Sequence, residues 1–153
     1  LSGVLGVCDG IQEPGNLGAI IRTADAAGAG GVTILPGTCD AFEGKALRAS
    51  AGSIFNVPII YEDRESLIGK LRKHGVKVAV TAIDARLSIF DADLRGPVAF
   101  VFGNESKGAS GELKRAADLY LKIPIAGRAE SLNVAASATV TLYEALRQRL
   151  KTV

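Results

Sequence analysis

The chain has 153 residues, 48% of them hydrophobic, with 18 basic against 16 acidic side chains. That is one domain of ordinary size with material for a real core. It excludes a disordered tail, a collagen-like repeat and a disulfide scaffold. A net charge of +2 does not mark a non-specific nucleic-acid binder, though it leaves room for a local basic face. Cys8, Cys39 and the single His74 stand in no metal-ligand spacing, so no metal site is expected. Two isolated cysteines suit a reducing, cytoplasmic setting. No apolar stretch approaches the roughly 20 residues that span a bilayer, so no membrane partner is expected.

In chain order, the apolar run at 4–9 reads as a strand ended by Gly10. Residues 17–28 carry apolar side chains at helical spacing with Asn16 as N-cap, and Gly28, Gly30 and Gly31 close that helix. A strand follows at 32–35, stopped by Pro36, then a short helix at 45–51. The strand at 57–61 contains Pro58, which places it at an edge or start. An amphipathic helix is expected at 66–74, with Leu67, Ile68 and Leu71 on one face and Gly75 after it. Strands at 76–83 and 98–102 precede a short helix at 112–117 and a last strand at 119–123. The longest helix is expected at 131–150, with a stripe of Leu132, Ala135, Ala138, Leu142, Leu146 and Leu150. Arg147, Arg149 and Lys151 would favour its negative end. Alternating strands and helices predict an α/β domain with a parallel, Rossmann-like sheet, whose ligands sit beyond the strands' carboxyl ends.

The loop from Gly103 to Ser110 has the glycine spacing of a P-loop, but Ala109 stands where the phosphate-binding lysine belongs. No GxGxxG follows a strand either, which removes a dinucleotide fingerprint. Taken singly, Glu105 is the carboxylate of a helix-initiating turn, Ser131 to Asn133 is a capping region, and Arg22 is a solvated arginine.

Together, three segments in order resemble the motifs of the SpoU (TrmH-like) family of RNA 2′-O-ribose methyltransferases in the SPOUT superfamily. The first is Asn16-Leu-Gly18-Ala-Ile-Ile-Arg22-Thr-Ala24. The second is Phe102-Gly103-Asn-Glu105-Ser-Lys-Gly108, and the third runs from Ile123-Pro124 through Ser131-Leu132-Asn133-Val134. A fourth likeness lies at Lys45-Ala-Leu-Arg48-Ala-Ser50-Ala-Gly52. The departures are small: Ile125 stands where methionine is common, and Ala136 where serine often is.

The resemblance implies a catalytic domain over residues 1–153 whose C-terminal segment forms a trefoil knot. An N-terminal RNA-binding domain is expected to precede it, as in many relatives, since the chain opens directly on its first strand and contains no methionine. It implies a homodimer, S-adenosylmethionine as methyl donor, and RNA as substrate, ribosomal RNA ahead of transfer RNA. The donor would be held largely by backbone groups at Thr81, Gly103, Ile123, Ile125 and Leu132. Gly103 is expected to let the chain approach the donor closely. The reaction is an in-line displacement: a ribose 2′-oxygen takes the methyl carbon and sulfur leaves as a neutral thioether. The resemblance assigns the key role to Arg22, with Asn16, Glu105, Ser131 and Asn133 completing the polar site. A guanidinium with a pKa above about 12 is a poor base, so Arg22 suits an electrostatic clamp as well as a proton acceptor.

Overall fold

A computed structural model describes residues 3–150. Seven strands form one sheet, paired in parallel throughout, in the order β3-β2-β1-β6-β4-β7-β5. These are β1 (Val4–Asp9), β2 (Gly31–Ile34), β3 (Ile59–Tyr61), β4 (Lys77–Thr81), β5 (Leu87–Ser88), β6 (Val98–Gly103) and β7 (Leu119–Lys122). The helices are α1 (Pro14–Ala26), α2 (Gly44–Ser50), α3 (Arg64–Lys73), α4 (Gly111–Ala116) and α5 (Val134–Leu150).

The central strands are buried on both faces, and the period of two divides their side chains between two cores. Cys8, Phe100 and Phe102 pack with Leu17, Ile20 and Ile21 of α1 and with Ala138 and Leu142 of α5. Val7, Ala99 and Val101 pack on the opposite face with Leu67 and Leu71 of α3 and Leu113 of α4. Asp9 is the last residue of β1 and pairs with Gly103, the last of β6. The first and second motifs therefore leave the sheet side by side. Thr81 ends β4, the strand between β6 and β7, and Ile123 follows β7.

Several expectations shift. Helix α1 begins at Pro14, and Glu13 rather than Asn16 is its N-cap, because the Glu13 carboxylate accepts the Asn16 N–H at 2.9 Å. Proline at the first helical position fits, since it lacks only an N–H that would find no partner there. Helix α5 begins at Val134, so Ser131 and Leu132 lie in the segment before it. Its buried face is Ala138, Thr141, Leu142, Glu144 and Ala145, and Leu150 at the end of the expected stripe is exposed. Arg147 bonds Glu144, and Arg149 reaches the carbonyls of Arg95 and Gly96 instead of its own helix end. Lys151 lies outside the described residues. The strand expected at 57–61 is shortened to β3 at the sheet's edge, where Pro58 is harmless, and that at 76–83 is trimmed to β4. The two-residue β5 and a 3-10 turn at Ser53–Phe55 are too short to show a period.

Candidate functional site

The site is built where the loops after β1 and β6 meet the start of α5. The Glu105 carboxylate accepts the Gln12 N–H at 3.2 Å, the Glu13 N–H at 3.0 Å and the Asn16 side-chain amide at 3.3 Å. Asn16 Oδ1 in turn accepts Asn133 Nδ2 at 3.0 Å. Asn133 Oδ1 accepts the N–H groups of Ala135 at 2.8 Å and Ala136 at 3.3 Å, which caps α5. One chain of hydrogen bonds thus joins residues separated by 89 and 117 positions in sequence. The Lys45 ammonium pairs with Glu13, which ties the 45–52 segment to the same corner.

The polarity of this chain follows from its first member. Burial pulls the Glu105 carboxyl upward, but the N–H groups of Glu13, Glu105 itself and Gln12, with the Asn16 amide, outweigh it and hold the group below its ordinary value. An ionised carboxylate only accepts. Asn16 must therefore present its NH₂ to Glu105 and its oxygen to Asn133. Asn133 then has to present NH₂ to Asn16 and oxygen to the helix. Every amide orientation is dictated, and each is also satisfied.

Asn16, Glu105 and Asn133 are accordingly brought together. Arg22 and Ser131 are not part of the chain. Arg22 lies six residues beyond Asn16, about 9 Å along the helix axis and on another face. It is exposed and has no hydrogen bond or ion pair among the described residues. Ser131 is exposed in the connecting segment, likewise with no hydrogen bond there. The expected donor positions share one end of the sheet: Thr81, Gly103 and Ile123 end or follow the neighbouring strands β4, β6 and β7. Ile125 and Leu132 lie in the segment that leads to α5, Leu132 at 39% exposure.

Gly103 also answers a steric demand of the loop itself. A Cβ there would sit 2.1 Å from the Ala109 nitrogen and 2.2 Å from the Gly108 carbonyl carbon. The loop's own returning segment, Gly108 and Ala109, occupies that space. Asn104 and Gly108 exchange backbone hydrogen bonds at 3.0 and 2.9 Å, and this closes the loop.

Sequence reasoning missed Asp9, Glu13, Thr38, Arg64 and Asn104. Glu13 was readable from the proline that follows it. Thr38 accepts the Gly10 N–H at 2.9 Å and donates to the Cys8 carbonyl at 3.0 Å, a long-range contact with no local signal.

The fit of a nucleoside-bearing ligand to this end of the sheet can be judged from the main chain. Among the described residues, the segment from Ile123 through Leu132 makes no backbone–backbone hydrogen bond. Its peptide groups are available to a ligand, and Ile83 and Leu132 add exposed apolar surface. Among the same residues there is no cluster of His, Cys, Asp and Glu able to hold a metal, and no helix long and apolar enough to cross a membrane.

A parallel α/β sheet with three linked motif loops at its carboxyl end defines a Rossmann-like ligand-binding domain. The chain belongs to the SpoU rRNA methylase family, whose profile matches residues 4–143. It is 42% identical over 135 residues to the 23S rRNA (guanosine(2553)-2′-O)-methyltransferase RlmP of Bacillus subtilis, covering 88% of this chain and 54% of that protein. An AdoMet-bound rRNA methyltransferase from Sinorhizobium meliloti superposes with a TM-score of 0.91 at 40% identity, over 96% of this chain and 57% of that one. The SpoU methyltransferase AviRb from Streptomyces viridochromogenes superposes at 0.90 with 34% identity, over 97% and 60%. The chain spans about half the length of the curated relatives it matches.

Proposed function

We propose that this domain transfers a methyl group from S-adenosylmethionine to a ribose 2′-hydroxyl of RNA, with ribosomal RNA as the substrate class. The observation that carries the reading is the Glu105–Asn16–Asn133 chain, which locks all three motifs into one fixed corner. In-line displacement demands alignment above all, and a corner whose Glu105, Asn16 and Asn133 side chains hold one another in place provides it. When bound, S-adenosylmethionine supplies an electrophilic methyl group on a sulfonium. Free peptide groups between Ile123 and Leu132, with Thr81 and Gly103, hold that donor.

Glu105 acts as an anchor, because a carboxylate depressed by three N–H donors takes up a proton poorly at neutral pH. Among the described residues the exposed Arg22 guanidinium has no ion pair. It clamps a substrate phosphate and stabilises the alkoxide that develops on the ribose oxygen, while the hydroxyl proton passes to a phosphate oxygen. Ser131, exposed beside Asn133, faces the ribose. We also propose a trefoil knot at 123–150, supported by the return of α5 onto α1 and β6 after the connecting segment. A homodimer is supported by Tyr143 and Leu150, which are exposed and lie seven residues apart, hence on one face of α5. The cytoplasm remains the proposed compartment.

Labelled methyl transfer to separate pools of unmodified ribosomal and transfer RNA tests the reading. Label is expected in the ribosomal pool. Label confined to transfer RNA would overturn the substrate class, and none in either pool, with no donor binding by calorimetry, would overturn the function.

A further inference from the structure

The Asp9 carboxylate lies at the end of β1 with its side chain 1% exposed. One oxygen, Oδ1, accepts Arg64 Nε at 2.9 Å and Arg64 Nη2 at 2.6 Å. The other, Oδ2, accepts the backbone N–H of Ser110 at 2.6 Å. Arg64 opens α3, and its Nη2 also donates to the Pro36 carbonyl at 2.8 Å. A buried carboxylate is retained only where it is paired and fully hydrogen-bonded, and here both conditions are met.

The consequence lies in what Ser110 ends. It is the last residue before α4 and closes the loop that begins at Asn104 and carries Glu105. The start of that loop is held by the segment after β1: Asn104 Nδ2 donates to the Gly10 carbonyl at 2.9 Å. The middle is held by the Gln12 and Glu13 N–H groups on Glu105. The end is held by Asp9. Three consecutive stretches of one loop are therefore fastened to four residues of another segment, Asp9, Gly10, Gln12 and Glu13, and only the last fastening is itself braced by a side chain from a distant helix, Arg64. Gly103 itself is held in the β1–β6 ladder opposite Asp9, so it does not depend on this pair.

We propose that Asp9 and Arg64 are positioning residues for methyl transfer, acting through the Ser110 amide to set where Glu105 and the second-motif loop stand. Arg64 fixes the carboxylate from α3, so a helix outside the three motifs takes part in the placement of the site. The proposal rests on the methyltransferase reading for its kinetic readout and on geometry alone for its structural one.

The test compares the full chain with Arg64→Gln and Arg64→Lys by amide hydrogen exchange, calorimetry with S-adenosylmethionine and steady-state methyl transfer to unmodified ribosomal RNA. In R64Q, exchange at residues 104–110 is expected to rise at least about tenfold while β1 and β6 keep their protection. Its kcat is expected to fall at least about tenfold, with KM for RNA and Kd for the donor within about threefold. Lysine keeps the charge and one bond, so R64K is expected to return both readouts at least halfway on a logarithmic scale. If R64Q does not fold, R64K is read directly, with an intermediate rise in exchange confined to 104–110 as the supporting result. Unchanged exchange at 104–110 in a folded variant would overturn the proposal, as would loss of donor and RNA binding in proportion to kcat. Exchange does not depend on catalysis, so an inactive wild-type chain would sink the functional reading and leave the positioning claim separately decided.

Discussion

Glu105 orders the corner because its ionised carboxylate, a pure acceptor, faces the Gln12, Glu13 and Asn16 donors. Replacing it with glutamine keeps the shape but presents an NH₂ to groups that also donate. At least one of the Gln12, Glu13 and Asn16 donors then turns to water for its partner, and at this exposed corner that costs about 0.5–1.5 kcal/mol, the net worth of an ordinary hydrogen bond. E105Q is expected to lower the unfolding midpoint and to reduce turnover by at least about tenfold; unchanged denaturation and turnover would contradict the assignment. The acid limb has a definite sign. The folded-state pKa of Glu105 lies below its ordinary value, so its stabilising contribution is present above the unfolded value and is lost as pH falls through the folded one. Wild type should lose more stability than E105Q on acidification below about pH 4.3, the unfolded glutamate value. Identical pH–stability curves would show that the carboxylate is not held as described. Arg22, outside the network, should behave differently: Arg22→Ala is expected to leave donor affinity within about threefold and reduce kcat by orders of magnitude. Equal losses in both would make it structural.

At the scale of elements, the decisive contacts are glycines where two segments touch. Gly18 on α1 faces α2, and a Cβ there would meet the Ala46 carbonyl oxygen and the Ala49 Cβ, each at 2.5 Å. Gly18→Ala is expected to cost about 1–3 kcal/mol by overpacking, read as a lowered midpoint in urea. A neutral result would mean that α2 slides freely. Strands β1 and β6 were legible as apolar runs stopped by Gly10 and Gly103, and α3 was legible through its stripe of Leu67, Ile68 and Leu71. The start of α1 was displaced from Asn16 to Glu13 because asparagine is the commoner cap. A glutamate cap becomes visible only once Pro14 is read as the first helical residue. The segment before α5 was mistaken for helix because Leu132 continues the apolar spacing, although it is 39% exposed.

For the whole molecule, the sheet order puts β6 next to both β1 and β4, so segments about a hundred residues apart converge at one end. Asn16, Glu105 and Asn133 stood out in the sequence only through their likeness to family motifs, and the structure joins the three side chains. Their spacing carries no trace of the hydrogen bonds that join them. Asp9 and Arg64 carried no signal at all, since a buried ion pair made by residues 55 positions apart depends on topology. That topology makes the motifs one unit, so breaking it at Asn133 should be felt throughout. Asn133→Ala removes both the α5 cap and the bond to Asn16, and is expected to weaken donor binding as well as rate. An unaffected donor affinity would separate α5 from the donor site.

The most direct measurement is to incubate the chain with methyl-labelled S-adenosylmethionine and unmodified ribosomal RNA, then digest the RNA with alkali. Alkali cleaves through a free 2′-hydroxyl and so cannot cut beside a 2′-O-methylated ribose. The account predicts label in alkali-resistant dinucleotides. Label released wholly as mononucleotides would place the methyl on a base and contradict ribose methylation.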